Sequence, residues 1–243
     1  MQIEQVTLAT CGAAAGAVVV IDVLRAFTTA AFAFAAGARE IVLVSTVDEA
    51  LALRERLPGA LAMGEVGGLA VAGFDFSNSP ADLVGQDLGG RTLIQRTSAG
   101  TQGVVRSVSA ELLLASSFVC AGATARYLRE LAPERVAFVI TGDYGSAGGA
   151  GDLGRGGYPI DMRADGDEDA ACADYLAALL RADSPDPAPY LRRVRESTPG
   201  RAFADPARPE FPSEDLDYCA DLDRFDFAML VERRDGLLVM RVA

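Results

Sequence analysis

The segment from residue 17 to residue 44, AVVVIDVLRAFTTAAFAFAAGAREIVLV, restricts the fold of this chain more than any other. Residues 17–21 are an unbroken apolar run, and the thirteen residues 26–38 carry no charge. A membrane-spanning helix needs about 20 apolar residues, so the second run is too short to cross a bilayer. The segment therefore predicts a buried strand and a buried helix of a globular domain, with Asp22 and Arg25 between them.

The same alternation of apolar strands and helices continues along the chain. Strands are predicted at residues 17–21, 40–44, 60–63, 91–96, 111–115 and 135–140, and helices at 26–36, 47–56, from about 101, at 119–131 and at 167–181. Such runs are typical of a largely parallel sheet that is covered on both faces. We expect a single domain over residues 1–243, with a proline-rich irregular excursion at 183–212, a short helix near 213–220 and a C-terminal hairpin at 225–242.

Composition excludes several kinds of site and partner. The chain has no histidine, which removes the Ser-His-Asp triad, the Cys-His pair and the usual zinc ligand sets. Its formal net charge of -12 argues against a nucleic-acid partner, because an acidic surface repels phosphate backbones. The four cysteines have no C-x-x-C spacing and no targeting segment is evident, so we expect reduced thiols in a cytoplasmic protein with no membrane partner.

Polar side chains follow several of the predicted strands, at the point where each strand ends. They are Asp22, Glu65, Thr97, Ser98, Thr101, Ser116, Ser117 and Asp143. In open α/β sheets, ligands bind outside the carboxyl ends of the strands, so we expect these side chains to meet at one edge. Asp22 alone also suits a helix N-cap with Arg25 as its ionic partner. The number of strand ends involved favours a functional site.

Two further segments leave their role open. The turn TSAGT at residues 97–101 suits either an anion-binding loop or an ordinary capped turn. In GFDFSNSPADL, residues 73–83, Ser79 and Pro80 are typical of a helix start, with or without a ligand.

Two other segments have patterns that occur in metal or dinucleotide sites. Asp167, Glu168 and Asp169 open a predicted helix; the helix dipole explains at least two of them, and the third is a candidate metal ligand. The segment GAGDLG at residues 149–154 matches G-x-G-x-x-G, but it lies well past its strand and Pro159 follows it closely. That placement does not suit a dinucleotide site.

Five motifs together resemble the 2-phosphosulfolactate phosphatase family. They are IDVLRAFTT (21–29), GFDFSNSP (73–80), TSAGT (97–101), SSF (116–118) and EDAACADYL (168–176), with a weaker echo in CADLDRFDF (219–227). The resemblance covers residues 17–181 and implies a three-layer α/β/α sandwich with a largely parallel or mixed sheet. It also implies a magnesium-dependent phosphatase that acts on 2-phosphosulfolactate in coenzyme M synthesis.

The residues in these motifs define the expected site. A carboxylate-rich site without histidine selects a hard cation such as Mg²⁺, and we expect Asp22, Glu65 and Asp169 to hold it. The candidate catalytic residues are Asp22, Arg25 and Asp75, with Arg25 gripping the anion and Asp75 serving as acid or base. The expected substrate contacts are Asn78, Ser79, Thr97, Ser98, Gly100, Thr101 and Ser117.

Two motifs depart from the family pattern. Residues 77–80 are SNSP where the family has GNSP, and residues 98–101 are SAGT where the family has TNGT. The second change removes an asparagine side chain, which bears on the substrate more than on the reaction. The sequence therefore predicts a phosphatase for a small anionic phosphorylated 2-hydroxy acid. The alternative is a catalytically inactive relative that binds an anion or regulates another protein. The chain is also a candidate homo-oligomer.

Overall fold

The computed structural model describes residues 1–142 and 166–243. Within them, ten strands form one mixed sheet, and α-helices cover it, which confirms the predicted α/β sandwich. The strands are β1 (Gln2–Thr7), β2 (Gly16–Ile21), β3 (Glu40–Leu43), β4 (Leu61–Val66), β5 (Leu69–Ala70), β6 (Thr92–Arg96), β7 (Ala110–Ser116), β8 (Arg135–Ile140), β9 (Met229–Arg234) and β10 (Leu237–Val242). The helices are α1 (Ala26–Ala35), α2 (Val47–Arg56), α3 (Gly100–Arg106), α4 (Ala121–Leu131), α5 (Asp167–Leu180), α6 (Ala188–Glu196), α7 (Thr198–Phe203) and α8 (Ser213–Cys219).

The sheet consists of two parallel blocks joined by a hairpin. Its strand order is β1-β8-β2-β7-β9-β10-β3-β6-β4-β5. Strands β1, β8, β2 and β7 are mutually parallel, and so are β3, β6 and β4. The C-terminal strands β9 and β10 pair antiparallel with each other and with the block on either side. Strand direction therefore reverses three times between β7 and β3, so the two parallel blocks run in opposite directions within the mixed sheet.

Strand β2 shows why the sheet is covered on both faces. Successive side chains of a strand point to opposite faces. Val18 and Val20 belong to a core cluster that includes Ala30 of α1, whereas Val19 lies in a second cluster with Leu176 of α5. Both faces of this strand are fully buried, which is what its uninterrupted apolar sequence requires.

Helix α2 illustrates how local sequence sets the boundaries of the elements. Thr46 accepts a hydrogen bond from the amide of Glu49, and the Glu49 side chain accepts one from the amide of Thr46. This capping box satisfies two amide groups that the first helical turn would otherwise leave unpaired. The helix begins at Val47 for that reason, as the sequence predicted.

Three parts of the chain differ from the sequence-based prediction. Strand β1 was not predicted, because its sequence QIEQVT is polar and it lies at the sheet edge. The proline-rich segment 183–212 is not irregular throughout, since it contains α6 and α7, each with a proline in its first turn. Asp143 and the GAGDLG segment lie outside the described residues. No helix in the described part of the chain is long and apolar enough to cross a membrane.

Candidate active site

A pocket beside the carboxyl ends of β2, β4, β6 and β8 collects four acidic side chains. They are Asp22, Glu65, Glu168 and Asp169, and each is at least nine-tenths buried. Arg25 also lines the pocket and is the one cationic side chain among its described lining residues. Strand ends from both parallel blocks meet here, as the sequence predicted for Asp22 and Glu65. The pocket is therefore strongly acidic.

Asp22 follows β2 and turns the chain into α1. Its Oδ1 accepts a hydrogen bond of 2.9 Å from the amide of Ala26, and the amide of Gly100 donates to the same carboxylate. Burial raises the pKa of Asp22 to about 7, and repulsion from the Asp169 carboxylate adds to that shift. Asp22 thus accepts from the first amide of α1 and lines the pocket, but the N-cap residue of the helix is Arg25, so the prediction of Asp22 as the N-cap is wrong.

Asp169 lies in the first turn of α5 and is held by three donors. Its Oδ1 accepts from the amide of Val23 at 2.8 Å, and its Oδ2 accepts from the amide of Gly142 at 2.9 Å. The hydroxyl of Thr141 lies 3.1 Å from Oδ2. Burial, together with the neighbouring Glu168 carboxylate, raises the pKa of Asp169. These contacts join α5 to the ends of β2 and β8.

Glu65 is held in place by the turn that follows β6. The amide of Ser98 donates to Oε1 of Glu65, and the Ser98 hydroxyl lies 3.0 Å from Oε2. The amide of Gly68 donates to Oε2 at 2.6 Å. Arg96 donates to the Ser98 hydroxyl at 3.2 Å and to the carbonyl of Glu65 at 2.8 Å. Ser98 lines the pocket as expected, but its hydrogen bonds orient Glu65.

Arg25 does not pair with Asp22. Its Nη1 donates to Oδ2 of Asp215 at 2.7 Å, and its Nη2 donates to the carbonyl of Gly68 at 3.3 Å. The sequence interpretation that gave Arg25 to Asp22 is wrong, because α8 brings a different carboxylate to the guanidinium. Asp215 is fully buried and lies 190 residues from Arg25 along the chain. Because the two residues are so far apart in the sequence, no local spacing pattern predicts their ion pair.

Asn78 and Ser79 have different surroundings. Asn78 lines the pocket, is buried, and its Oδ1 has no hydrogen-bond partner among the described residues. Ser79 does not line the pocket, and its hydroxyl donates to Oδ1 of Asp215 at 2.7 Å. The expected helix cap at Ser79 is not formed, since the short 3₁₀ turn that follows Pro80 has no side-chain cap. Asn78 is therefore the better candidate for a ligand contact.

Several expected substrate contacts do not line the pocket. Thr97 and Thr101 bond to each other's backbone amides, which closes the 97–101 turn as a capped turn. Gly100 packs directly against Asp22. Ser117 is fully buried and does not line the pocket. Among these residues, Gly100 is the one that directly contacts a lining carboxylate in the described structure.

Asp75 is the clearest departure from the expected site. Its Oδ2 accepts from the amide of Ala62 at 2.8 Å and from Arg54 at 3.2 Å, on the outside of β4. It does not line the pocket. The geometry therefore gives no support to Asp75 as an acid or base. Glu168 lines the pocket, although it was not predicted as a site residue because the helix dipole accounts for an acidic residue at that position.

The donor chemistry of the pocket suits a hard divalent cation. Its four carboxylates repel one another, and carboxylate oxygens are the ligands that Mg²⁺ prefers. Among the residues that the structure describes, no three acidic or cysteine side chains already have the spacing of a metal site. The fit therefore rests on charge and atom type at Asp22, Glu65 and Asp169.

Comparison with known proteins gives one consistent result. A sequence model of the family "2-phosphosulpholactate phosphatase" matches residues 4–234. The chain is 34% identical over 219 residues to the "Probable 2-phosphosulfolactate phosphatase" of Bacillus subtilis (strain 168), covering 90% of this chain and 87% of the relative. Proteins of the same name from Carboxydothermus hydrogenoformans and Deinococcus radiodurans are 36% and 35% identical. They cover 92% and 84% of this chain, and 90% and 82% of their own lengths.

Proposed function

Because the chain belongs to the 2-phosphosulfolactate phosphatase family and is thereby a phosphoric monoester hydrolase, we propose that it hydrolyses a phosphorylated 2-hydroxy acid with the help of Mg²⁺. The relatives' names make 2-phosphosulfolactate the first substrate to consider. The reaction breaks the bond between phosphorus and the ester oxygen and forms a bond from phosphorus to a water oxygen. Its products are inorganic phosphate and the free 2-hydroxy acid.

The observation that carries this proposal is the charge of the pocket. Four carboxylates line it, whereas the single described lining cation, Arg25, is already paired with Asp215. An anionic phosphate ester would be repelled from such a pocket unless a cation offset the carboxylates. Asp22, Glu65 and Asp169 would hold Mg²⁺, which shields phosphate charge and polarises the phosphoryl oxygens when bound.

The protein's own residues orient the reactants around that charge. The hydrogen bonds from Ala26, Val23 and Ser98 fix the three carboxylates before a ligand enters, so little reorganisation is needed on binding. Arg25 offers its remaining N–H groups to an anionic oxygen. Asn78, whose side-chain oxygen has no partner within the described chain, supplies an amide for a further polar group of the substrate.

Part of the pocket wall is apolar. Leu24, Pro199, Phe203 and Phe211 line it, and the last three come from the segment 183–212. These side chains exclude water from one side of the bound ester and strengthen the electrostatic contacts on the other. The proline-rich segment 183–212 therefore contributes three residues to the pocket.

The alternative of an inactive relative is not favoured. The three relatives named above are all called phosphatases, and the four carboxylates of the pocket are intact in this chain. The free, buried cysteines and the net charge of -12 also suit the proposed setting, a cytoplasmic enzyme that binds a small anion and no nucleic acid.

The test is a screen of phosphorylated 2-hydroxy acids, with and without a sulfonate group, in the presence of Mg²⁺. We expect phosphate release from at least one of them, fastest with 2-phosphosulfolactate, and loss of that release in Asp169→Asn. The exposed Asp226→Asn variant is the matched control, since Asp226 lies on the surface and pairs with Arg126. Hydrolysis of simple aryl phosphates alone, at equal rates in both variants, would contradict the proposal.

A further inference from the structure

Arg25 is enclosed by groups from distant parts of the chain. Asp215 accepts from Nη1 at 2.7 Å, and the carbonyl of Gly68 accepts from Nη2 at 3.3 Å. The guanidinium carbon lies 4.9 Å from the ring centroid of Phe203 and 5.6 Å from that of Phe211. A planar guanidinium between two rings and a carboxylate has very little freedom to rotate.

Asp215 is itself held on its other side. Its Oδ1 accepts from the hydroxyl of Ser79 at 2.7 Å and from the amide of Ala81 at 3.2 Å. One oxygen therefore bonds Arg25, while the second is fixed to the 79–81 segment. Asp215 is completely buried and does not line the pocket. It has no route to the substrate, and any effect on the reaction must pass through Arg25.

We infer that Asp215 is a positioning residue, which fixes the Arg25 guanidinium so that its free N–H groups point at an anionic group of the substrate. The inference rests on the proposed function. Asp215 and Gly68 together use two of the five N–H donors of Arg25, which leaves the others for the anion. Asp215 also balances the buried positive charge of Arg25 while no substrate is bound.

A double-mutant cycle tests this link. We expect Asp215→Asn to lower kcat/KM at least about tenfold in the wild-type background, because a misplaced binding group loses most of its effect. In the Arg25→Lys background, where the planar fork is already gone, the same change should lower kcat/KM less than about threefold. Equal losses in both backgrounds would show that Asp215 supports the fold and not Arg25, which would overturn the inference.

The chain offers a matched control on the same helix. Asp217 also lies in α8 and pairs with an arginine, Arg195, but its side chain is 70% exposed. We expect kcat/KM and phosphate affinity to be unchanged in Asp217→Asn. A loss in Asp217→Asn equal to that in Asp215→Asn would place the effect in the helix as a whole and overturn the inference.

A second variant keeps the test decisive if Asp215→Asn does not fold. Ser79→Ala removes one anchor of Asp215 and leaves the Arg25 contact, whereas Ser77→Ala removes a surface hydroxyl that bonds Asp82. We expect Ser79→Ala to weaken the binding of inorganic phosphate about two- to fivefold, with Ser77→Ala unchanged. Equal phosphate affinities in these two variants would overturn the inference.

Phosphate binding separates this inference from the proposed function. Calorimetry with inorganic phosphate and MgCl₂ needs no turnover, so it is informative even if no tested ester is hydrolysed. In that case the proposed function fails, and the phosphate affinities of the Asp215 and Ser79 variants still decide the role of Asp215. Absence of phosphate binding by the wild-type protein would overturn the inference as well, because Arg25 would then hold no anion.

Discussion

Gly100 lies so close to Asp22 that a Cβ atom built on Gly100 would be 2.8 Å from Oδ2 of the carboxylate. Glycine is needed here for space, since its φ lies outside the left-handed region. The same Cβ would also lie 2.8 Å from the Cβ of Ala26, so a side chain at position 100 would collide with both residues. The position of the carboxylate is therefore set by a contact that only glycine permits.

Replacing Gly100 should lower the activity of the enzyme while leaving the protein folded. We expect Gly100→Ala to displace Asp22, to lower kcat/KM at least about tenfold, and to lower the free energy of unfolding by about 1–3 kcal/mol. Steady-state kinetics and denaturant titration measure the two effects. Gly12→Ala is the control, since its Cβ would meet only a carbonyl oxygen at 3.4 Å. Wild-type kinetics in Gly100→Ala would show that the position of Asp22 is unimportant.

Divalent cations should stabilise the protein as well as activate it. A cation at a hundred times its Kd raises the free energy of unfolding by about 2.7 kcal/mol. We expect Mg²⁺ or Mn²⁺ to raise Tm relative to KCl at equal ionic strength, and excess chelator to abolish hydrolysis. Asp169→Asn should lose the Tm shift, while the exposed Asp226→Asn keeps it. Full activity in chelator, with no metal in the purified protein, contradicts the magnesium proposal.

The buried Asp22 carboxyl should make the stability of the metal-free protein depend on pH. Burial raises its pKa from 3.8 to about 7, so the folded protein binds this proton more tightly than the unfolded chain. The resulting stabilisation is complete below about pH 4 and is lost as the pH rises through 7. In EDTA, we expect the free energy of unfolding to fall by on the order of 3 kcal/mol between pH 5 and pH 8. The pKa of Asp169 is also raised, so Asp169 adds to the fall and Asp22→Asn should remove only the part that belongs to Asp22. An unchanged slope in the variant would refute the assignment.

Arg25→Lys should weaken turnover while it preserves charge. Lysine lacks the planar fork that bonds Asp215 and Gly68 together, so we expect kcat/KM to fall at least about tenfold. Arg224→Lys is a matched control, because Arg224 also stacks on a phenylalanine ring and pairs with an aspartate, but does not line the pocket. Wild-type kinetics and Tm in Arg25→Lys would reduce Arg25 to a structural ion pair.

Asp22 should hold the metal without forming a phosphoenzyme. Leu24 occupies the position two residues later, where an aspartyl-phosphate phosphatase would have a second Asp. We expect acid quench during turnover, followed by borohydride reduction and peptide mass analysis, to find no modified carboxylate. Conversion of Asp22 to homoserine in that experiment would establish the covalent route instead. Metal affinity should also collapse in Asp22→Asn, measured by calorimetry.

Much of the site could be predicted because strand ends are visible in a sequence. Asp22 and Glu65 each come at the end of an apolar run, and both line the pocket. Asp215 could not be found this way, because it pairs with Arg25 across 190 residues. Asp75 was assigned to the site because its motif includes Asn78, but Arg54 and Ala62 hold its carboxylate outside the pocket.

The fold shows the same limit. Buried strands such as β2 were predicted to within one residue, because their apolar runs can be explained only by burial on both faces. Helices α6 and α7 were missed because prolines were taken as breakers, whereas Pro189 and Pro199 occupy first turns, where no amide hydrogen bond is lost. The place of the C-terminal hairpin at the centre of the sheet has no local signal, since it depends on pairing with β7 and β3.

The central position of β9 and β10 has a consequence for synthesis on the ribosome. In the described part of the sheet, the two parallel blocks do not pair with each other directly, and the hairpin lies between them. The edges of β7 and β3 that pair with β9 and β10 therefore stay unpaired until residue 242 has left the exit tunnel. Until then, two unpaired edges with apolar faces are available to other chains, which is the usual route to aggregation during folding. The nascent protein should therefore depend on chaperones until residue 242 has emerged, and a ribosome stalled before residue 229 should carry a chain that is sensitive to protease.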